Sequence, residues 1–378
     1  MMQRRSFLRT GLAAAVAGPG LLTSADRAWA LDGLDLRPRR AADPIRLSSN
    51  ENPLGMPETA RQAILNAFAG GSRYPGLDGQ LIEAIAKKHG VAKESIVLGT
   101  GSTEVLRLSV MQTALQPGSR LVVPAPSFED ATDYAEAFPI EIVRVPLRPD
   151  YSMDLAAMKA AASRGNGPVL VFLCNPNNPT ATITSCADIE SWIQSVDERI
   201  VFLVDEAYFD FVEDPGYRTL IPFTERPNVI VSRTFSKIYG LAGLRAGYGI
   251  ANEETVKALR ALACQNNLNH FAQVAALACI EDTAYMKKSI EINRQGRAFA
   301  VRTLRELELE VLPSHTNFLM HRIKGEVQPY IDRMAEAGVR VGRPFPPMLG
   351  YNRVSIGLPE EMQAWANNLR TFREKGWV

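Results

Sequence analysis

Val169-Leu170-Val171-Phe172-Leu173-Cys174-Asn175-Pro176-Asn177-Asn178-Pro179-Thr180 is an unbroken apolar run that ends abruptly in asparagines and prolines. The pattern returns at Ile200-Val201-Phe202-Leu203-Val204-Asp205-Glu206-Ala207-Tyr208, and again at Asn228-Val229-Ile230-Val231-Ser232-Arg233-Thr234-Phe235-Ser236-Lys237. Runs this short, apolar at nearly every position, read as strands covered on both faces. Ser95–Leu98 and Arg120–Val123 read the same way upstream. With helical patterns between them, these runs predict a largely parallel sheet inside an α/β domain. Ligands of such sheets sit beyond the carboxyl ends of the strands, which is where the polar clusters fall.

Each cluster offers chemistry. The Asn-Pro segment displays amides from a loop that its prolines fix; a plain connecting loop is the alternative. Asp205 places a carboxylate at the end of a buried strand, which is costly unless the group is partnered or used; an ion pair or helix cap is the simpler account. Thr234, Ser236, Lys237 and Arg245, beside Gly240 and Gly243, gather hydroxyls and cations suited to a phosphate with an amine beside it. Upstream, Val97-Leu98-Gly99-Thr100-Gly101-Ser102-Thr103-Glu104 runs from a strand through a glycine turn into a helix. The free N–H groups of a helix start bind anions, and Glu104 stands where a dinucleotide fold needs a small residue. The turn reads as a single-phosphate cup or as a structural turn.

The composition is that of an ordinary globular chain: 378 residues, 22% charged, net charge +1. There is no basic footprint for nucleic acid. His89, His270, His315 and His321 are scattered, with no HExxH, so no metal site is expected. Cys174, Cys186, Cys264 and Cys279 lack CxxC spacing and are expected to be buried free thiols, with pairing in an oxidising compartment as the alternative.

The N-terminus is distinct. Arg4-Arg5-Ser6-Phe7-Leu8-Arg9 is followed by an apolar, small-residue run from Gly11 to Leu22 and by Ala28-Trp29-Ala30, an A-x-A cleavage pattern. The run is shorter than the roughly 20 residues a membrane helix needs, so no stable membrane anchor is expected. The paired arginines resemble a twin-arginine export signal, which implies passage through that export machinery to a periplasmic or secreted location.

Taken together, the four strand-end clusters resemble the class I/II aminotransferase family in order, spacing and residue type. The nearest branch is histidinol-phosphate aminotransferase, on Leu47-Ser48-Ser49-Asn50-Glu51-Asn52-Pro53-Leu54-Gly55 and Arg73-Tyr74-Pro75. The resemblance implies pyridoxal-phosphate (PLP)-dependent transferase fold type I, aspartate-aminotransferase-like, with a mostly parallel sheet in a large domain and a smaller α+β domain. The expected divisions are an export signal over 1–30, a linker and arm over 31–70, a large PLP-binding domain over 71–265 and a small domain over 266–378.

Carried over by position, the resemblance implies that Lys237 holds PLP as an internal aldimine and shuttles the substrate Cα proton. Asp205 would pair with the ring nitrogen, and Tyr208 and Asn178 with the phenolic oxygen, while Phe128 stacks on the ring. Ser102, Thr103, Thr234, Ser236 and Arg245 would hold the phosphate. Tyr74 would reach the phosphate of a neighbouring subunit, implying a homodimer with shared sites. Asn52, Arg343 and Arg353 would face substrate, Arg353 taking its carboxylate; a structural role for Arg343 beside Pro344-Phe345-Pro346-Pro347 is the alternative. The implied substrates are an amino acid, or a histidinol-phosphate-like amine, and a 2-oxo acid.

The chain departs from the family pattern at Ala181, usually Gly; at Phe128, more often Tyr in this branch; at Thr103, often Asp; and at Leu358, usually Thr. None of these removes a group the chemistry needs. The same electron sink would serve a racemase, lyase, decarboxylase or oxidase, and product analysis separates these from transamination. A non-catalytic binding protein is disfavoured by the presence of both Lys237 and Asp205.

Overall fold

The five apolar runs between Ser95 and Val231 are all strands in the computed structural model, which describes residues 44–378. In chain order the strands are β1 (Ile45–Leu47), β2 (Ile96–Thr100), β3 (Arg120–Ala125), β4 (Glu141–Pro146), β5 (Val169–Cys174), β6 (Ile200–Asp205), β7 (Val229–Thr234), β8 (Ala246–Ile250), β9 (Phe318–Arg322), β10 (Val339–Val341) and β11 (Tyr351–Ser355). The α-helices are α1 (Glu58–Ala67), α2 (Asp78–His89), α3 (Ser102–Ala114), α4 (Asp130–Ala135), α5 (Leu155–Ser163), α6 (Cys186–Gln194), α7 (Glu253–Leu262), α8 (His270–Cys279), α9 (Thr283–Glu306), α10 (Val327–Glu336) and α11 (Pro359–Glu374). The export pattern and the first part of the linker lie outside the described residues.

Strands β2 to β8 form one sheet in the order β2-β8-β7-β6-β5-β3-β4. It is parallel except where β8 pairs antiparallel with β2 and β7. The sequence pattern does not reveal β8, because Gly247 and Gly249 interrupt it. Those glycines let α3 lie against the strand: a Cβ on Gly247 would sit 2.2 Å from the Ser102 nitrogen. Apolar clusters cover both faces of the sheet, as buried parallel strands require.

A further apolar cluster gathers around Trp365, Tyr330 and Leu304 and draws in Leu47 from the other end of the chain. There β1 pairs parallel with β10 and β9 pairs antiparallel with β11. Residues 44–378 nevertheless cluster as one compact unit. Leu268, Ala272, Ala275, Ala276 and Cys279 pack into the core beneath the large sheet, although the sequence reading groups them with the C-terminal part. The helical stretch that follows is divided into two helices, α8 and α9. Asp282 caps the second, accepting the Tyr285 N–H at 2.9 Å. All four cysteines are free; Cys264 is exposed rather than buried as expected.

Candidate active site

Parallel register aligns Cys174, Asp205 and Ser232 at the carboxyl ends of β5, β6 and β7. A cleft of about 780 Å³ opens there. Every residue expected at the site lines this cleft except Asn52 and Tyr74.

The two carboxylates ending β6 have separate fates. Glu206 is buried behind the cleft and accepts from Arg233 at 2.6 and 2.9 Å, Thr219 at 2.8 Å and the Leu220 N–H at 2.7 Å. Asp205 faces the cleft, 3% exposed, accepting the Ser232 hydroxyl at 2.9 Å. Burial pushes its pKa up to about 6, opposed chiefly by the Ser232 hydrogen bond. Such a group is poised to take a cationic N–H partner.

Lys237 follows β7. Its amine donates to the backbone oxygens of Asn50 at 3.1 Å and Ser49 at 3.4 Å, and lies 5.7 Å from the centre of the Tyr208 ring. Burial, then the nearby Arg353, brings its pKa down to about 8. An amine so placed is a usable base and nucleophile near neutral pH.

The glycine turn opening α3 makes an anion cup. Gly101 adopts φ +74°, and a Cβ there would lie 2.4 Å from an Arg245 Nη. No side chain caps α3, so its first N–H groups face the cleft unclaimed at Ser102 and Thr103. Glu104 instead ties the turn from behind, accepting the Thr100 N–H at 2.6 Å and the Asn267 amide at 2.8 Å. On the other wall Arg245 donates to the Ala242 carbonyl at 3.1 Å and reaches the Ser236 hydroxyl at 3.4 Å. The Ser236 N–H donates to the Thr234 hydroxyl at 3.1 Å. Helix N–H groups, hydroxyls and a guanidinium around a space that a Cβ would fill fit a phosphate. Beside an amine and a buried carboxylate, they fit pyridoxal phosphate.

Substrate contacts divide less simply. Arg353 on β11 is 8% exposed and donates to the Asn178 side-chain oxygen at 2.7 Å and the Ser48 carbonyl at 2.6 Å. Its Nε is buried without a partner, leaving a donor for an anion. Arg343 lies at the rim, paired with Glu129 and donating to the Pro344 carbonyl at 3.0 Å. Phe345 lies 4.4 Å from the Arg343 guanidinium and 4.7 Å from that of Arg353.

Asn52 turns away from the cleft, its amide donating to Ser289 Oγ at 2.9 Å and the Ile238 carbonyl at 3.0 Å. The asparagine facing the cleft is Asn50, in the left-handed region at φ 54°. Its amide donates to the Tyr208 hydroxyl at 3.1 Å, and its side-chain oxygen accepts from Ser355 at 3.0 Å. The only sequence signal for it is that Asn tolerates such a turn. Tyr74 is 86% exposed and lies apart from its own chain's cleft.

Residues 42–368 match the model of the aminotransferase class I and II family. The chain is 37% identical over 338 residues to a histidinol-phosphate aminotransferase of Moorella thermoacetica, covering 87% of this chain and 85% of that protein. It is 38% identical over 328 residues to histidinol-phosphate aminotransferase 1 of Cupriavidus pinatubonensis, covering 85% and 86%. The crystal structure of histidinol-phosphate aminotransferase from Sinorhizobium meliloti, in complex with pyridoxal-5'-phosphate, aligns with TM-score 0.82 at 26% identity, covering 88% and 91%. The fold is thus PLP-dependent fold type I, and the chain belongs to the class I and II aminotransferases, with pyridoxal phosphate as its cofactor.

Proposed function

We propose that this aminotransferase moves an amino group between an amino acid, or a histidinol-phosphate-like amine, and a 2-oxo acid, with Lys237 as the residue that carries the cofactor and moves the proton. The observation that supports this most is the Lys237 amine, lowered to about pKa 8, in one cleft with the buried Asp205 carboxylate and the phosphate cup.

Bound PLP supplies an electron sink for the pair released when a substrate Cα–H bond breaks. The N–H groups of Ser102 and Thr103, with Thr234, Ser236 and Arg245, would hold its phosphate. Asp205 would keep a proton on the ring nitrogen. Tyr208 and the Asn178 amide, whose oxygen is already used by Arg353, would reach the phenolic oxygen, and Phe128 would cover the ring. Arg353 binds the substrate carboxylate through its fork, orienting Cα toward Lys237. Lys237 Nζ would take the Cα proton and deliver it to the C4′ carbon of the cofactor.

The reaction is tested by product balance. Purified enzyme with an L-amino acid should form the matching 2-oxo acid continuously only when a second 2-oxo acid is supplied. Steady release of ammonia, peroxide, carbon dioxide or the D-enantiomer without an acceptor would assign the same site to a lyase, oxidase, decarboxylase or racemase.

The working form proposed is a homodimer with shared sites, because Tyr74 is a large exposed aromatic set apart from its own chain's cleft. Sedimentation at micromolar concentration tests it. The location proposed is outside the cytoplasm, through the twin-arginine pattern at Arg4-Arg5. Replacing both arginines with lysine should retain the protein in the cytoplasm, and undisturbed export would refute that route.

A further inference from the structure

Asp205, the carboxylate that faces the cleft, has one side-chain hydrogen-bond partner among the described residues. That partner is Ser232, whose hydroxyl donates to Oδ1 at 2.9 Å. Parallel register sets the two side by side, since Asp205 at the end of β6 lies opposite Ser232 on β7. Ser232 is fully buried, and its hydroxyl makes no other hydrogen bond. The groups around the pair bind elsewhere. Cys174, the register partner of Asp205 on β5, donates its thiol to the Pro176 carbonyl at 3.4 Å. The Lys237 amine donates to the Asn50 and Ser49 carbonyls, Tyr208 accepts from Asn50, and Glu206 is held by Arg233. Lys237 draws the Asp205 carboxyl down and Glu206 pushes it up, but after burial Ser232 has the largest influence. Burial pushes the Cys174 thiol and the Tyr208 hydroxyl up, so both stay neutral.

A carboxylate with Oδ1 engaged can offer Oδ2 to a donor in the cleft, and the hydroxyl also stabilises the ionised form. Without that donor the carboxylate is more basic. A proton shared between it and a ring nitrogen would then move onto the acid. The ring would lose its positive charge and become a poorer acceptor of electrons.

We propose that Ser232 is a positioning residue for the reaction, whose hydroxyl fixes the Asp205 carboxylate in its ionised form so that the proton shared with the cofactor stays on the ring nitrogen. This rests on the aminotransferase reading, in which Asp205 pairs with that nitrogen, and names the group that sets where the proton lies.

The first measurement needs no turnover. Cofactor-free protein gains stability from Asp205 while that carboxyl is protonated, and loses the gain as pH rises through about 6. Melting temperature against pH, taken as the difference from the matching Asp205→Asn protein, isolates this loss. In Ser232→Ala its upper limit should move up by about one pH unit. Ser232→Cys fills the same space with a much weaker donor and should resemble Ser232→Ala. The second measurement uses the holoenzyme, loaded with PLP isotopically labelled at the ring nitrogen and followed by nitrogen NMR. The resonance should sit at the pyridinium position in the parent and move toward the neutral pyridine position in Ser232→Ala. In that variant kcat should fall about tenfold, with KM for the amino donor nearly constant. A pH limit and a nitrogen resonance unmoved in Ser232→Ala, or parental behaviour in Ser232→Cys, would overturn the proposal and leave the aminotransferase intact. A resonance unmoved even in Asp205→Asn would instead remove Asp205 from the ring nitrogen, and with it the reading on which the proposal rests.

Discussion

The guanidinium of Arg353, on β11, donates to the side-chain oxygen of Asn178, in the loop after β5, at 2.7 Å. The contact joins β11, whose Arg353 is proposed to bind the substrate carboxylate, to the loop after β5 and holds the guanidinium in place. Arg353→Lys retains the charge but loses the fork, which matters at a bidentate site. It should raise KM for carboxylate donors by about 10- to 100-fold, or ~1.4–2.7 kcal/mol, with a smaller fall in kcat. Steady-state kinetics across donors check this; an equal loss for amines lacking a carboxylate would indicate a structural role.

Arg353 is also the second cause, after burial, of the lowered Lys237 pKa. Attachment of PLP needs the neutral amine, so its rate should rise with pH around a midpoint near 8 rather than the ordinary lysine value of 10.5. In Arg353→Ala the midpoint should move upward. Stopped-flow absorbance of PLP added to cofactor-free protein reads both midpoints, and coincidence of the two would disprove the coupling.

Asp205 gives opposite signs with and without cofactor. In the cofactor-free protein its carboxyl is raised from 3.8 to about 6 by burial. A raised carboxyl favours the fold while protonated; that contribution is complete below about pH 3.8 and lost as pH rises through about 6. Asp205→Asn should therefore stabilise cofactor-free protein at pH 8 by roughly 2–3 kcal/mol, with no difference near pH 4. The same substitution should lower kcat of the loaded enzyme. Thermal melts at both pH values decide the first point, and single-turnover rates the second.

Ala181 carries a cost that its family position usually avoids. It is fully buried at φ 65°, donating its N–H to the Asn177 carbonyl at 2.9 Å and accepting from the His315 N–H at 2.9 Å. An alanine in the left-handed region is strained where glycine is not. Ala181→Gly should stabilise the protein by about 1 kcal/mol, the relief exceeding the lost methyl packing and the added unfolded-state freedom. Denaturant midpoints measure it; a destabilised variant would mean that the buried methyl dominates.

How far the sequence reveals the site depends on the distance over which each feature is set. The ends of β5, β6 and β7 are legible because a strand buried on both faces must be apolar until the core stops, so polar clusters such as Asp205 and Lys237 mark the edge. β8 is hidden because its glycines answer to a helix lying across it, at Ser102 and Val105. Asn50 and Asn52 are indistinguishable in a string. A left-handed residue at Asn50 and a partner 305 positions away, Ser355, decide which of them faces the cleft. Cys264 is exposed because it lies in the segment between α7 and α8 rather than within either helix.

Asn50 yields the last prediction. One residue touches three parts of the site: its amide donates to the Tyr208 hydroxyl, its carbonyl accepts the Lys237 amine, and Ser355 on β11 holds it by two contacts of 2.8 and 3.0 Å. Asn317 braces the same carbonyl at 3.0 Å. Asn50→Gly keeps the left-handed backbone and the carbonyl while deleting the side chain, so it removes the contact to Tyr208 together with the one from the Ser355 hydroxyl to the Asn50 side-chain oxygen, leaving Ser355 bound to the Asn50 N–H. Losing a buried hydrogen bond that leaves a hydroxyl unmet costs about 1–3 kcal/mol. If that hydroxyl must be placed for the proton transfer, kcat should fall by about 5- to 150-fold with KM nearly constant. Asn50→Ala adds backbone strain and should lose thermal stability as well. Unchanged kcat in Asn50→Gly would mean that Tyr208 is held by its edge contact with Phe318, at 5.1 Å between ring centres, and that the amide serves only to shape the turn.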